Sequence, residues 1–373
     1  MVSVTGLPAG SATMRAAIAV AILASSVVAP ARAQTMSGSG ESADSSAASP
    51  FIDMSRAMQL YVSDRPENHP SSDYATDARE KARADSIFDA LAAGIMEYST
   101  IEFPSRAGDL QIPARVFKPL APHPGSRALI WVHGGVHSHV APDPYWPFIR
   151  EAVERGFTVV APDYRGSTGY GKAFHDAIDD GGLEVDDVLG AYDWIVRHEP
   201  HIDPGRVAII GWSHGGLIAL LAATREGQPF QAVAAIAPVS NLLLRLAYKG
   251  PAYQAYFSTQ DHIRGLPFEV PATYMERSPV YHLDRINVPV LVHVATNDED
   301  VAFLESDLLI QALRAKLPEL SETRVYVDAP GGHMFSRLVD PLTLERRDTP
   351  EQRDSWNRVW AFLDWHLRDY DGR

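Results

Sequence analysis

One hexapeptide constrains this chain more than any other stretch: Gly211-Trp212-Ser213-His214-Gly215-Gly216. It follows Arg206-Val-Ala-Ile-Ile210, a short β-branched run that reads as a buried strand. It precedes Leu217-Ile-Ala-Leu-Leu-Ala-Ala223, an apolar run that reads as a helix. A strand, G-x-S-x-G and a helix in succession describe a nucleophile elbow. So sharp a turn forces the serine into a strained backbone conformation. Glycines two positions before and after it remove side chains that would collide there. A serine hydroxyl is a weak nucleophile alone, so the elbow calls for a histidine and a carboxylate further along.

The surrounding pattern says what holds such an elbow. From Ile101 onward, strand candidates lie at 111–117, 128–133, 158–162, 207–210, 232–237, 290–295 and 323–327. Helical runs at 146–155, 183–197, 214–225 and 301–317 fall between most of them, and a last helix carries Trp356, Trp360, Leu363 and Leu367 on one face. Alternating strands and helices predict an α/β-hydrolase fold: a mainly parallel, doubly wound sheet covered by helices on both faces. The site is then expected at the carboxyl ends of the strands. His133-Gly134-Gly135, Asp163-Tyr164-Arg165, Ser213, Asp298 and His333 each follow a strand candidate. Residues 241–287 contain Pro, Gly and aromatics but no clear strand, and are expected to form a small helical cap inserted near the site.

Chain order selects the partners of Ser213, because this architecture runs serine, acid, histidine. The first carboxylates at a later strand end are Asp298, Glu299 and Asp300. Asp298 is placed to turn inward, and Asp300 to cap the helix that follows. After the last strand, Gly331-Gly332-His333 offers a tight loop that can swing an imidazole towards the serine. In this reading His333 is the general base and Asp298 orients it. The oxyanion of the reaction needs fixed N–H donors. The backbone N–H of His214 directly follows the nucleophile, and Gly135 lies in a loop free of side chains; such donors supply roughly 3–4 kcal/mol each. Trp212, His137 and Tyr170 are expected to contact substrate. His137, His139 and Asp143 could in principle hold zinc, but serine chemistry needs neither metal nor cofactor, and none is expected.

The remaining sequence bounds the setting. The 373 residues carry a net charge of −14 with no basic cluster, which argues against a nucleic-acid partner. The absence of cysteine excludes disulfides, a thiolate metal site and a cysteine nucleophile. Met14-Arg15, the apolar run from Ala16 to Ala29 and Ala31-Arg32-Ala33 before Gln34 have the form of a cleavable export signal over 1–33. The apolar run is short for a spanning helix, so a periplasmic or secreted protein without stable membrane insertion is expected. Residues 34–50, mostly Ser, Ala and Gly, read as a disordered linker. Residues 51–100 read as a helical segment packed on a catalytic domain at 101–373, with Ile87, Leu91, Ile95 and Tyr98 on one helical face.

From about Ile101 to Tyr370 the chain resembles the catalytic domain of the prolyl oligopeptidase family of serine peptidases. The residues that carry the resemblance are His133-Gly-Gly135, Asp163-Tyr-Arg-Gly-Ser-Thr-Gly-Tyr-Gly171, Asp187-Val-Leu-Gly-Ala-Tyr-Asp-Trp194, Asp203-Pro-Gly-Arg-Val-Ala-Ile209 and Arg277-Ser-Pro279. The resemblance implies the same triad and an oxyanion donor in the His-Gly-Gly loop. It implies a peptidase acting on short peptides. Two positions depart from the family pattern: His214 stands where tyrosine is common in the elbow, and Val136 where proline often follows His-Gly-Gly. The region before Ile101 is also too short for the family's β-propeller. Small relatives of this kind are often esterases, so a carboxylesterase acting on small or carbohydrate-linked esters is the alternative, with acyltransfer a third possibility. A non-catalytic binding protein would have no need for all three triad residues.

Overall fold

The computed structural model describes residues 73–121 and 126–369. The expected signal at 1–33, the linker at 34–50 and the first helical pattern of 51–100 lie outside the described residues. Among the described residues no helix is long and apolar enough to cross a membrane.

Eight strands form one sheet in the order β1-β2-β4-β3-β5-β6-β7-β8. They are β1 (Met96–Pro104), β2 (Gln111–Pro119), β3 (Arg127–Val132), β4 (Phe157–Pro162), β5 (Val207–Trp212), β6 (Ala232–Ile236), β7 (Val290–Ala295) and β8 (Ser321–Tyr326). Strands β3 to β8 pair in parallel, and β1 and β2 join antiparallel at one edge. The parallel strands β4 to β7 are buried along their whole length, as expected for strands covered on both faces.

Side chains alternate between two cores. Ile130, Val132 and Ile209 join the core beneath α3 (Glu184–His198) and α4 (His214–Ala223). Leu129, Trp131, Ile210 and Trp212 face the opposite core. That core is closed by α1 (Tyr74–Ala92), α2 (Pro142–Glu154) and α9 (Pro350–His366), through Phe88, Phe148, Trp356 and Trp360. Between β6 and β7 the chain forms three short helices, α5 (Leu242–Tyr248), α6 (Pro251–Thr259) and α7 (Pro271–Glu276); α8 (Phe303–Lys316) follows β7.

One expected element is different. The helical face read through Ile95 and Tyr98 stops at Ala92, and Met96 opens the edge strand β1. Asp73 caps the helix start by accepting from the Thr76 N–H, and Gly94 ends it at a φ of +74°, a conformation glycine adopts freely. Ile87 and Leu91 pack on the core from the helix, whereas Tyr98 reaches the same core from the strand. The main sheet therefore begins at Met96 rather than at Ile101.

Candidate active site

Ser213 sits at φ +53° and ψ −117°, between β5 and α4. A serine in this region stores about 1–3 kcal/mol of backbone strain. The turn is over-determined by its neighbours. The Ser213 N–H donates to the Ile236 carbonyl at 3.0 Å, and its carbonyl accepts from Leu217 at 3.0 Å and Val239 at 3.2 Å. There is no room for side chains around it. A Cβ on Gly211 would stand 2.1 Å from the Gly215 carbonyl oxygen, and one on Gly215 would stand 2.4 Å from that of His133.

Asp298 and His333 arrive from the ends of β7 and β8. Asp298 is buried, and its Oδ1 accepts the N–H groups of Asp300 and Val301, both at 2.8 Å. Its Oδ2 is left to meet His333 Nδ1 at 2.7 Å. His333 lies in a 3-10 turn, Gly332–Arg337, and its side chain is 15% exposed. Ser213 and His333 line one cavity of about 330 Å³. The expected role of Asp300 as a helix cap does not hold. The residue before α8 is Ala302, and the backbone donors of this turn go to Asp298. Asp300 instead accepts from Lys249 Nζ at 2.7 Å and lies 3.6 Å from His333 Nε2. Burial alone would raise its carboxyl, but Arg245, His333 and Lys249 hold it well below the usual carboxylate range.

The loop carrying Gly135 is braced from below by Asp163-Tyr164-Arg165. Tyr164 Oη donates to the Gly135 carbonyl at 2.7 Å, and its ring stacks on His133 at 4.3 Å. Asp163 binds Arg115 at 2.6 Å, the Val140 N–H at 2.7 Å and Tyr170 Oη at 2.6 Å. Arg165 pairs with Asp187 at 2.8 Å. From above, the Gly134 N–H donates to Tyr145 Oη at 2.8 Å, which also accepts from Arg337 at 2.7 Å. His133 is fully buried, and burial pushes its imidazole down to about 4, so it stays neutral near pH 7. His214 occupies the first position of α4, where N–H groups have no intrahelical acceptor. Gly135, Ser213 and His214 line a second cavity of about 320 Å³.

The residues expected to touch substrate separate into two groups. His137 lines the second cavity, beside the oxyanion candidate His214. His137 donates to the Gly166 carbonyl at 2.8 Å and stacks on His175 at 3.6 Å, while His214 Nε2 meets Glu184 Oε1 at 3.1 Å. Burial would raise the Glu184 carboxyl, but this contact keeps it below its ordinary value. Trp212 does not reach either cavity. It is fully buried on the opposite face, against Trp131 at 4.7 Å, with Nε1 on Ser336 at 3.2 Å. Tyr170 is also turned away, its hydroxyl spent on Asp163. His139 meets Thr168 Oγ1 at 3.0 Å, and no group of three metal-ligating side chains occurs among the described residues. Sequence reading missed Asp180, Arg245, Tyr253 and Tyr256 in the second cavity and Tyr145 and Arg337 in the first. The aromatic spacing of Tyr253, Tyr256 and Phe257 was the one available signal.

The sequence pattern of the prolyl oligopeptidase family matches residues 148–369. The chain belongs to the prolyl oligopeptidase family. The chain is 31% identical over 214 residues to dipeptidyl aminopeptidase BIII of Pseudoxanthomonas mexicana, covering 56% of this chain and 30% of the relative. It is 28% identical over 238 residues to an uncharacterized peptidase of Bacillus subtilis, covering 63% of this chain and 34% of the relative. The chain thus spans about a third of the length of these curated relatives. Among solved structures, a Mycobacterium tuberculosis puromycin-hydrolyzing peptidase superposes with a TM-score of 0.60 at 26% identity, over 73% of this chain and 40% of that one. The acylaminoacyl peptidase of Pyrococcus horikoshii shares the fold, with a TM-score of 0.61 at 20% identity over 77% of this chain and 44% of that one.

Proposed function

We propose that this member of the prolyl oligopeptidase family is a serine peptidase that cleaves short peptides through an acyl-enzyme on Ser213. The observation that carries the reading is the pairing of His333 Nδ1 with Asp298 at 2.7 Å, beside a cavity that His333 shares with a strained serine. With Nδ1 committed to the carboxylate, Nε2 is the nitrogen left to take the Ser213 proton as the hydroxyl attacks the scissile carbonyl. The N–H groups of Gly135 and His214 receive the oxyanion. Collapse breaks the C–N bond, and His333 returns the proton to the leaving amine. A water molecule, deprotonated by the same imidazole, then releases the acid. His133 lies at the carboxyl end of β3, on the same edge of the sheet, but is buried and meets Ser167 at 3.0 Å, which suits a structural part.

Amide cleavage is favoured by the family and by the named activities of the relatives. The test is labelling of the purified protein by a fluorophosphonate, with Ser213→Ala as control, followed by turnover of aminoacyl p-nitroanilides and p-nitrophenyl esters. Labelling that survives in Ser213→Ala defeats the assignment of the nucleophile. Turnover of esters alone replaces the peptidase with a carboxylesterase. The N-terminal export pattern leads us to propose also that the protein acts in the periplasm or outside the cell, which fractionation of expressing cells tests.

A further inference from the structure

The second cavity is lined by Ser213 but not by His333, and most of its wall is apolar or aromatic: Leu217, Val239, Leu242, Tyr253, Tyr256 and Phe257. Asp180 lines the same cavity and does not match that wall. It is fully buried, and among the described residues neither carboxylate oxygen has a hydrogen-bond partner. His262 Nε2 stands 3.7 Å from Oδ2, beyond hydrogen-bond length, and likewise has no hydrogen-bond partner among the described residues. The Arg277 guanidinium is directed to the neighbouring carboxylate, with Nη2 3.0 Å from Asp179 Oδ1.

The carboxylate of Asp180 is not needed to shape its own loop. The Gly181 and Gly182 N–H groups donate to Glu184 at 2.9 and 3.2 Å, and the Leu183 N–H donates to Asp179 at 2.8 Å. The other charges on this wall are matched. Arg245 stands 3.4 Å from the Asp300 carboxylate, which accepts from Lys249 at 2.7 Å, and behind the wall Glu184 meets His214 at 3.1 Å. Asp180 acts across the cavity: burial first, and then its negative charge, push the Tyr256 phenol well above the ordinary range. A carboxylate removed from water and left without a hydrogen-bond donor is a cost that a bound cation would offset. Aromatic faces around it would add to the attraction.

We propose that Asp180 recognises a positively charged nitrogen of the substrate, a protonated amine or a guanidinium, entering the aromatic-walled cavity beside Ser213. This inference rests on the reading of Ser213 as the nucleophile of a peptidase. The cation has two possible sources in a peptide, a basic side chain or a free N-terminus.

Two measurements test it. In the first, kcat/KM is compared for three p-nitroanilides: blocked with a lysine or arginine side chain, neutral with a free N-terminus, and neutral and blocked. The wild type is expected to favour one of the two cationic substrates over the neutral one, and which one identifies the source. Asp180→Asn, an isosteric change suited to the φ of +41° here, should lower that preference on the order of 10²-fold. Asp180→Gly, also relaxed at this φ, should do the same and guards against a folding artefact of either variant. A preference unchanged in both variants, or absent in the wild type, overturns the inference. In the second measurement, p-aminobenzamidine binding is followed by fluorescence in Ser213→Ala, which needs no turnover. The affinity is expected to fall at least about tenfold when Asp180→Asn is added. Equal affinity with and without Asp180 also overturns it. Fluorophosphonate labelling separates the two failures: a labelled enzyme with no cation preference loses only this inference, whereas an unlabelled one loses the peptidase reading.

Discussion

The two flanks of Ser213 are built on opposite principles. On the oxyanion side, charges are buried and matched: Arg115 on Asp163, Arg165 on Asp187, and the Tyr164 hydroxyl on the Gly135 carbonyl. On the other side, the helices of the 241–287 insertion present Tyr253, Tyr256 and Phe257 to a cavity whose Asp180 carboxylate accepts no hydrogen bond among the described residues. The first flank would hold backbone donors where the proposed reaction needs them, and its paired charges leave that loop little freedom. The second leaves interaction energy to be completed from outside. In one molecule, the part that would serve every substrate is closed, and the part that would choose among substrates is open.

The comparison can be broken at several points. The largest expected effect is at Asp298, where the acid loop meets both flanks. Asp298→Asn should lower kcat by about 10⁴-fold with the fold intact, because the imidazole loses its tautomeric control. A loss below tenfold, measured on the best p-nitroanilide, would remove Asp298 from the triad. Next is Arg115→Met, which leaves Asp163 buried and unpaired and should cost about 3–5 kcal/mol in urea unfolding. The exposed Arg264–Asp261 pair of the insertion flank should cost less than about 1 kcal/mol when Arg264→Met removes it. Equal losses would mean that the two flanks are not differently built.

The closed flank should also be visible in the pH dependence of stability. His133 titrates at about 4 in the folded protein and nearer 6.5 when unfolded. Below pH 6.5 the unfolded chain therefore binds a proton that the folded chain refuses. Stability should fall as the pH drops from about 6.5 to 4, by up to roughly 1.4 kcal/mol per pH unit from this one group. The difference in urea midpoints between wild type and His133→Asn, followed through that window, should show the slope decreasing by one proton. An unchanged slope would mean that His133 is not the buried neutral group described. The smallest effect separates the flanks by kinetics. Tyr164→Phe frees the Gly135 carbonyl and should lower kcat about tenfold with little change in KM. Tyr253→Phe removes a partner of Arg245 in the substrate cavity and should move KM instead. The reverse pattern would exchange the roles assigned to the two sides.

What was legible in the sequence follows the range of the interactions. The elbow is local, and its strand and helix announce themselves in adjoining apolar runs. The order of Ser213, Asp298 and His333 along the chain was enough to nominate them, since each follows a strand of one parallel sheet. The start of β1 carries a helical pattern because Ile95 and Tyr98 continue the spacing of Ile87 and Leu91; Gly94 breaks the helix before it, and the strand begins at Met96. The place of Trp212 in the motif, beside the nucleophile, suggests substrate contact. Strand alternation had already put it with Ile210 on the far face. Asp180, Tyr145 and Arg337 escaped notice because each gains its position from contacts distant in sequence, and no local spacing marks them.

The hold on Asp298 has one more consequence. Its Oδ1 is held by two main-chain N–H groups of the residues that follow, which favour one orientation of the carboxylate. The imidazole is therefore aimed by the path of the backbone from 298 to 301, like a sight clamped to a rail. Exchanging side chains along this short stretch leaves the rail in place. Adding or deleting a residue within it would swing His333 away from Ser213 even with the side chains of Ser213, Asp298 and His333 all still present.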